Sequence, residues 1–77
     1  MNAARRKRIE KLREELFSLR DEVMEAKSEE EEYYDNMPEN FQAGEKGDKA
    51  QTAIDTLDSA MQSLDEAVSY LDEVVEA

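Results

Sequence analysis

The chain has 77 residues with no cysteine, histidine or tryptophan, and its 21 acidic and 10 basic side chains leave a net charge of −11. This composition excludes a disulfide framework, a Cys/His zinc site and the nucleophile–histidine dyads of many hydrolases. No stretch of about 20 residues is free of charge, so no membrane-spanning helix is expected, and a chain this short forms at most one small domain with little core.

The charge is unevenly laid out. Residues 1–13 carry six bases and one acid, residues 14–49 thirteen acids and four bases, and residues 50–77 seven acids and no base. No apolar stretch follows the basic cluster, so the N-terminus does not read as a secretory signal, and the lack of cysteine suits a reducing cytoplasm. The first element follows at once. Ile9, Leu12, Leu16, Leu19, Val23 and Ala26 recur in steps of three and four, which is a heptad seam. The same line continues through Glu30, its one misfit, to Tyr33 and Met37. The residues between are mostly Glu, Lys and Arg, all tolerant of helix, and opposite charges such as Glu10 and Arg13 sit at helix-neighbour spacing. A helix is predicted over 4–35.

The interruption comes next. Asn36, Met37, Pro38 and Asn40 break the pattern, because a residue before proline is pushed out of helical geometry. Gly44 and Gly47 complete a loop over 36–47. Within it, Pro38 suits the opening of a short helical turn through Phe41.

The second helix is predicted over 48–76, with Asp48 and Gln51 spaced as a capping box and Gly44 as an earlier alternative start. It repeats every seven residues. Leu57, Leu64 and Leu71 form one column. Ala53, Ala60, Ala67 and Val74 form a second, and Ile54, Met61, Val68 and Val75 widen the stripe. Three apolar positions in seven suit a bundle helix more than a two-stranded seam. Alanines in line let a neighbouring helix approach to the lower end of the roughly 8–10 Å range.

Both helices carry charge of the wrong sign for their own dipoles: bases at the N-terminal end of the first, acids at the C-terminal end of the second. Folding back antiparallel removes both conflicts by setting residues 5–13 beside 65–76. The expected fold is all-α, an antiparallel two-helix hairpin of coiled-coil type. A hairpin covers each apolar stripe from one side only, so self-association into a four-helix bundle is expected. The assembly seam would consist of Ile9, Leu12, Leu16, Leu19 and Val23 with Ala53, Ile54, Leu57, Ala60, Met61, Leu64, Ala67, Val68, Leu71 and Val74.

Five features are candidate sites. Tyr33, Tyr34, Met37 and Phe41 cluster at the hairpin tip, either as a partner-binding patch or as a plug for the open end of the bundle. Asp58, Asp65 and Asp72 read as an acidic face opposite the seam, with phosphate-like spacing of carboxylates or simple solubility as its purpose. The head Arg5-Arg6-Lys7-Arg8 either touches phosphate or matches the acidic tail, and the net charge disfavours direct nucleic-acid binding. The run Glu29–Glu32 with Asp35 lacks a cation-loop pattern, and on a helix its side chains point in different directions. Phe17, Met24 and Tyr70, just off the seams, are candidates for a second interface. Exposed acids without a pocket give no catalytic site, and no cofactor or metal is implied.

The loop, from Tyr34-Asp35-Asn36-Met37-Pro38-Glu39-Asn40-Phe41-Gln42 through Gly44-Glu45-Lys46-Gly47-Asp48-Lys49, resembles a motif in a group of small acidic helical-hairpin proteins encoded in bacterial and phage genomes. The resemblance spans about residues 9–75, with only the loop specific. It implies a cytoplasmic setting in a bacterial cell or phage-infected host, a structured tip and no activity. The reading that follows is a non-enzymatic helical interaction module that self-associates as a homodimer and contacts another protein through its tip or acidic face. The alternative is an acidic nucleic-acid mimic that inhibits a DNA- or RNA-binding enzyme.

Overall fold

The computed structural model describes residues 1–77 and is all-α: α1 (Ala3–Asp35), α2 (Glu39–Gln42) and α3 (Glu45–Glu76), with no strand. The ends of these helices follow from local chemistry. Asn2 caps α1, its side-chain carbonyl accepting from the Arg5 amide at 2.7 Å. At the other end Asn36 donates its amide to the Glu32 carbonyl at 3.0 Å, and Met37 donates its amide to the Tyr34 carbonyl at 3.1 Å. Pro38 then opens α2, its carbonyl accepting from the Phe41 and Gln42 amides at 2.9 and 3.0 Å.

The third helix begins at Glu45 with Gly44 as N-cap, not at Asp48. Asp48 sits inside the first turn and donates its amide to the Gly44 carbonyl at 3.0 Å. Glu45 and Asp48 together place negative charge on the positive end of the dipole, so the earlier start is electrostatically sound. Gly47, read from the sequence as loop, is therefore a buried helical residue.

A single helix of this length would extend about 115 Å at 1.5 Å per residue. The molecule measures 59 × 14 × 13 Å. Arg6 donates to the Val75 carbonyl, and ion pairs join Arg13 to Asp72, Arg20 to Asp65 and Lys27 to Asp58. Residue numbers rise along α1 as they fall along α3, so the two long helices lie side by side in opposite directions.

Half-buried positions on α1 are Arg6, Ile9, Arg13, Leu16, Arg20, Val23, Lys27, Glu30 and Tyr34. Those facing them on α3 are Gly47, Ala50, Ile54, Leu57, Met61, Leu64, Val68, Leu71 and Val75. Each set advances in alternating steps of three and four, the knobs-into-holes pattern. Only Ala50, at 2% exposure, and Val68, at 8%, are apolar residues lost to solvent.

The α1 face differs from the predicted seam in one column. Ile9, Leu16 and Val23 line the contact, but Leu12 and Leu19 stay 44% and 50% exposed, and Ala26 is exposed as well. In their place the contact takes the column Arg6, Arg13, Arg20 and Lys27. On α3 the column Ala53, Ala60, Ala67 and Val74 flanks the contact and does not fill it: Ala53 and Ala67 are half-buried, Ala60 and Val74 exposed.

Candidate interaction surfaces

One long side of the molecule is a ladder of charge. The Arg13 guanidinium forks onto Asp72, its Nε on Oδ1 and its Nη2 3.4 Å from Oδ2. The Nε of Arg20 donates to Asp65 at 2.5 Å and its Nη1 reaches Asp21 at 3.4 Å. Lys27 Nζ donates to Asp58 at 3.0 Å, and Gln62 adds a second donor to that carboxylate at 2.9 Å. The rungs recur every seven residues because the bases on α1 and the acids on α3 do. Their long aliphatic stems lie over the seam while the charged ends reach its edge.

The hydrogen bond to Asp58 raises the pKa of Lys27 above its ordinary value, and the same bond holds the Asp58 carboxyl below the usual carboxylate range. Arg20 is likewise raised, first by its hydrogen bond to Asp65. These groups stand largely in water, so each rung contributes little alone. Arg13 turns to Asp72 and not to Glu10, its predicted neighbour on α1.

The ladder corrects the reading of Asp58, Asp65 and Asp72 as an acidic face opposite the seam. They stand beside the seam, each bonded to a base, because the heptad column they occupy borders the α1 contact. The same geometry explains Phe17: its ring lies under the Arg20 guanidinium, 5.9 Å from the ring centroid. Phe17 and Met24 thus share the charged side of the molecule.

The opposite long side carries two apolar columns bordered by charge, for Leu19 lies in a groove with Lys11, Glu14, Glu15, Ser18 and Glu22. In heptad terms the α1 column Leu12, Leu19, Ala26 and Tyr33 and the α3 column Ala53, Ala60, Ala67 and Val74 both border the seam away from the ladder. Along this side the α1 column is built mostly of large residues and the α3 column mostly of alanine. Leu12, Leu19, Tyr33 and Val74 are 37–53% exposed. Tyr70 borders the same side and is the most exposed large apolar residue, at 64%.

The four aromatic and methionine side chains at the tip divide into two pairs. Tyr34 and Met37 are half-buried and close the end of the seam, and the Tyr34 carbonyl accepts from Gln42 Nε2 at 2.9 Å. Tyr33 and Phe41 stay exposed and border an open groove with Asn36, Met37, Pro38 and Lys46, of about 330 Å³. Lys46 Nζ sits 5.6 Å from the Phe41 ring centroid.

The basic head is used in part. Arg6 Nη1 donates to the Val75 carbonyl at 2.7 Å, satisfying one of the free carbonyls at the end of α3 and placing positive charge on the negative pole of its dipole. Arg5, Lys7, Arg8 and Lys11 face solvent. The run Glu29–Glu32 spreads around α1, with Glu30 in the seam and Glu31 3.7 Å from Lys27. No three acidic side chains converge as a metal-holding group.

Arg20 and Lys27 were missed from the sequence, whereas Arg6 and Arg13 fall in the segment 5–13 expected beside 65–76. The seven-residue spacing of these bases, matched by Asp58, Asp65 and Asp72, is the signal that marks them. No helix is long and apolar enough to cross a membrane. No family model, curated protein or solved structure matches this chain.

Proposed function

We propose that this chain is a non-enzymatic helical hairpin that acts by protein–protein contact, first with a second copy of itself. One observation carries the reading: two apolar side chains are buried, while nine large ones remain at least 37% exposed. A helix pair with so little closed core is an incomplete structure, and natural helical pairs complete themselves by forming bundles. The tip groove bordered by Tyr33 and Phe41 is then the place for a different protein, since Phe41 stands on α2 beyond the long sides and Tyr33 at the very end of one. We place the chain in the cytoplasm of a bacterial cell or phage-infected host, on the loop resemblance and the absence of cysteine.

The acidic-mimic reading has less to support it. Its three named carboxylates are already neutralised by Arg13, Arg20 and Lys27. Charge reversal at Asp58, Asp65 and Asp72 would break the ladder and disturb the helix pair along with any acidic contact face.

Sedimentation equilibrium tests the proposal. The wild-type chain is expected to sediment at twice its 8.9 kDa mass, and Leu64→Asp, which puts a charge into the seam, should lose both the assembled form and much of the helical circular dichroism. A wild-type chain that stays at 8.9 kDa at every concentration would overturn it.

A further inference from the structure

We infer that the apolar side bearing Leu19 and Ala60 is the seat of a second copy of this chain, laid head to tip so that the two loops lie at opposite ends of the assembly. The inference rests on the self-association proposed above and adds the face and the direction.

The face is decided by what borders the seam. On the ladder side, every apolar surface is interrupted by charge: Phe17 lies under Arg20, and Asp65 and Asp72 reach across beside it. Covering that side would strip water from three ion pairs, a cost that the pairs themselves do not repay. The other side presents two apolar columns with no ion pair between them, and its charges, Lys11, Glu14, Glu15 and Glu22, stand beside Leu19 at the outer border. Its small residues let a facing helix come close, and its leucines supply area to bury. The whole side, 59 by 14 Å, outlines roughly 800 Å², so contact along its full length is what the ~800 Å² per partner of a stable protein interface requires.

The direction is decided by charge along the rod. At the head, residues 1–13 and 65–77 together hold six bases and six acids. At the tip, residues 27–49 hold eight acids and three bases. Two copies laid tip to tip would bring both acidic ends within a Debye length of each other, about 8–10 Å at physiological salt. Head to tip, each acidic end meets the partner's balanced end, where Arg5, Arg8 and Lys11 are free in solvent. A two-fold axis across the rod produces this arrangement and keeps every neighbouring helix antiparallel.

The test combines two variants and one distance. Leu19→Lys places a charge on the proposed face twice per dimer and should weaken association at least about hundredfold. Phe17→Lys, on the ladder side, should change it less than about threefold. Ala60→Lys repeats the first result from the other helix. The chain has no cysteine, so Asn40→Cys at the tip carries a single spin label per copy. Pulsed dipolar spectroscopy on the otherwise wild-type dimer should give a tip-to-tip distance near the 59 Å length of the molecule.

A wild-type chain that never associates removes self-association and this inference together. A stable dimer that Phe17→Lys dissociates, and that Leu19→Lys and Ala60→Lys leave intact, overturns the face while self-association stands. A label distance under roughly 30 Å, expected when adjacent tips lie one helix spacing apart, overturns the direction alone.

Discussion

Gly47→Ala isolates the close approach of the α2 and α3 backbones at the corner. Alanine is favoured over glycine inside a helix by about 1 kcal/mol, so position 47, well within α3, would ordinarily gain from the change. Here a Cβ would stand 1.9 Å from the Gln42 carbonyl oxygen, 2.5 Å from its carbon and 2.7 Å from its Cα. All three are backbone atoms, and ordinary contact begins near 3.4 Å. The end of α2 would have to retreat by about 1.5 Å, an overpacking that costs about 1–3 kcal/mol. The retreat also pulls Gln42 Nε2 away from the Tyr34 carbonyl, a bond contributing roughly 1 kcal/mol. The propensity gain offsets about a third of this, leaving a net loss of about 1–3 kcal/mol. In a chain of this size that lowers the thermal midpoint by roughly 5–20 °C. The assay is a circular-dichroism melt at one fixed protein concentration, since association makes the midpoint concentration-dependent. Thr52→Ala, at an exposed site on α3, serves as the control and should gain a few tenths of a kcal/mol. A Gly47→Ala chain as stable as this control would refute the claim that α2 presses its backbone against α3.

Three further outcomes follow. Glu30 is half-buried in the seam column of Ile9, Leu16 and Val23 and has no ion-pair partner; Glu30→Leu should add roughly 1 kcal/mol, read as a higher urea midpoint, and a lower midpoint would show that its carboxylate is favourably placed. The Lys27–Asp58 rung should make stability depend on pH at both extremes. Asp58 is depressed, so its contribution is present above the ordinary carboxylate pKa and is lost as pH falls through the lowered value; Lys27 is raised, so its contribution is present below the ordinary lysine pKa and is lost as pH rises through the raised value. Lys27→Met should flatten both limbs of the curve of melting midpoint against pH, and an unchanged curve would remove the rung from the account. Gly44 caps α3 without a side-chain hydrogen bond, so Gly44→Ser should raise the melting midpoint by an amount equivalent to a few tenths of a kcal/mol, and a drop would show that the cap needs its bare backbone.

The helical class was legible because apolar residues recur every three or four positions over almost the whole chain and proline stands where the pattern fails. The face of α1 was less so. Leu12 and Leu19 are the more apolar choice for the seam, and a reading by hydrophobicity selects them. The structure turns Arg13 and Arg20 inward because Asp72 and Asp65 on α3 have the same seven-residue spacing, a correlation between two distant segments that no single window contains. The start of α3 lies at Gly44, the earlier of the two starts the sequence offers, and Asp48 was preferred for a different reason. Glycine is read as a loop signal for its flexibility, whereas Gly47 is used for its lack of a side chain where two backbones meet. For the candidate sites, the sequence located the tip cluster as a unit. Only packing separates Tyr34 and Met37, which close the seam, from Tyr33 and Phe41, which face out.

The ladder has a property that its even spacing conceals. Sliding α3 by one heptad would set Arg6 against Asp72, Arg13 against Asp65 and Arg20 against Asp58, again three rungs. The leucine column Leu57, Leu64 and Leu71 would also find equivalent places. Charge and hydrophobicity therefore fix which way the helices run but leave their register nearly degenerate. The aperiodic corner breaks the tie, because Gly47 packs on the Gln42 backbone and Gln42 is in turn bonded to the Tyr34 carbonyl at the end of α1. The nine-residue connection thus acts as the ruler of the molecule. Insertions there should change register in steps of seven, and with it the alignment of everything displayed along both sides.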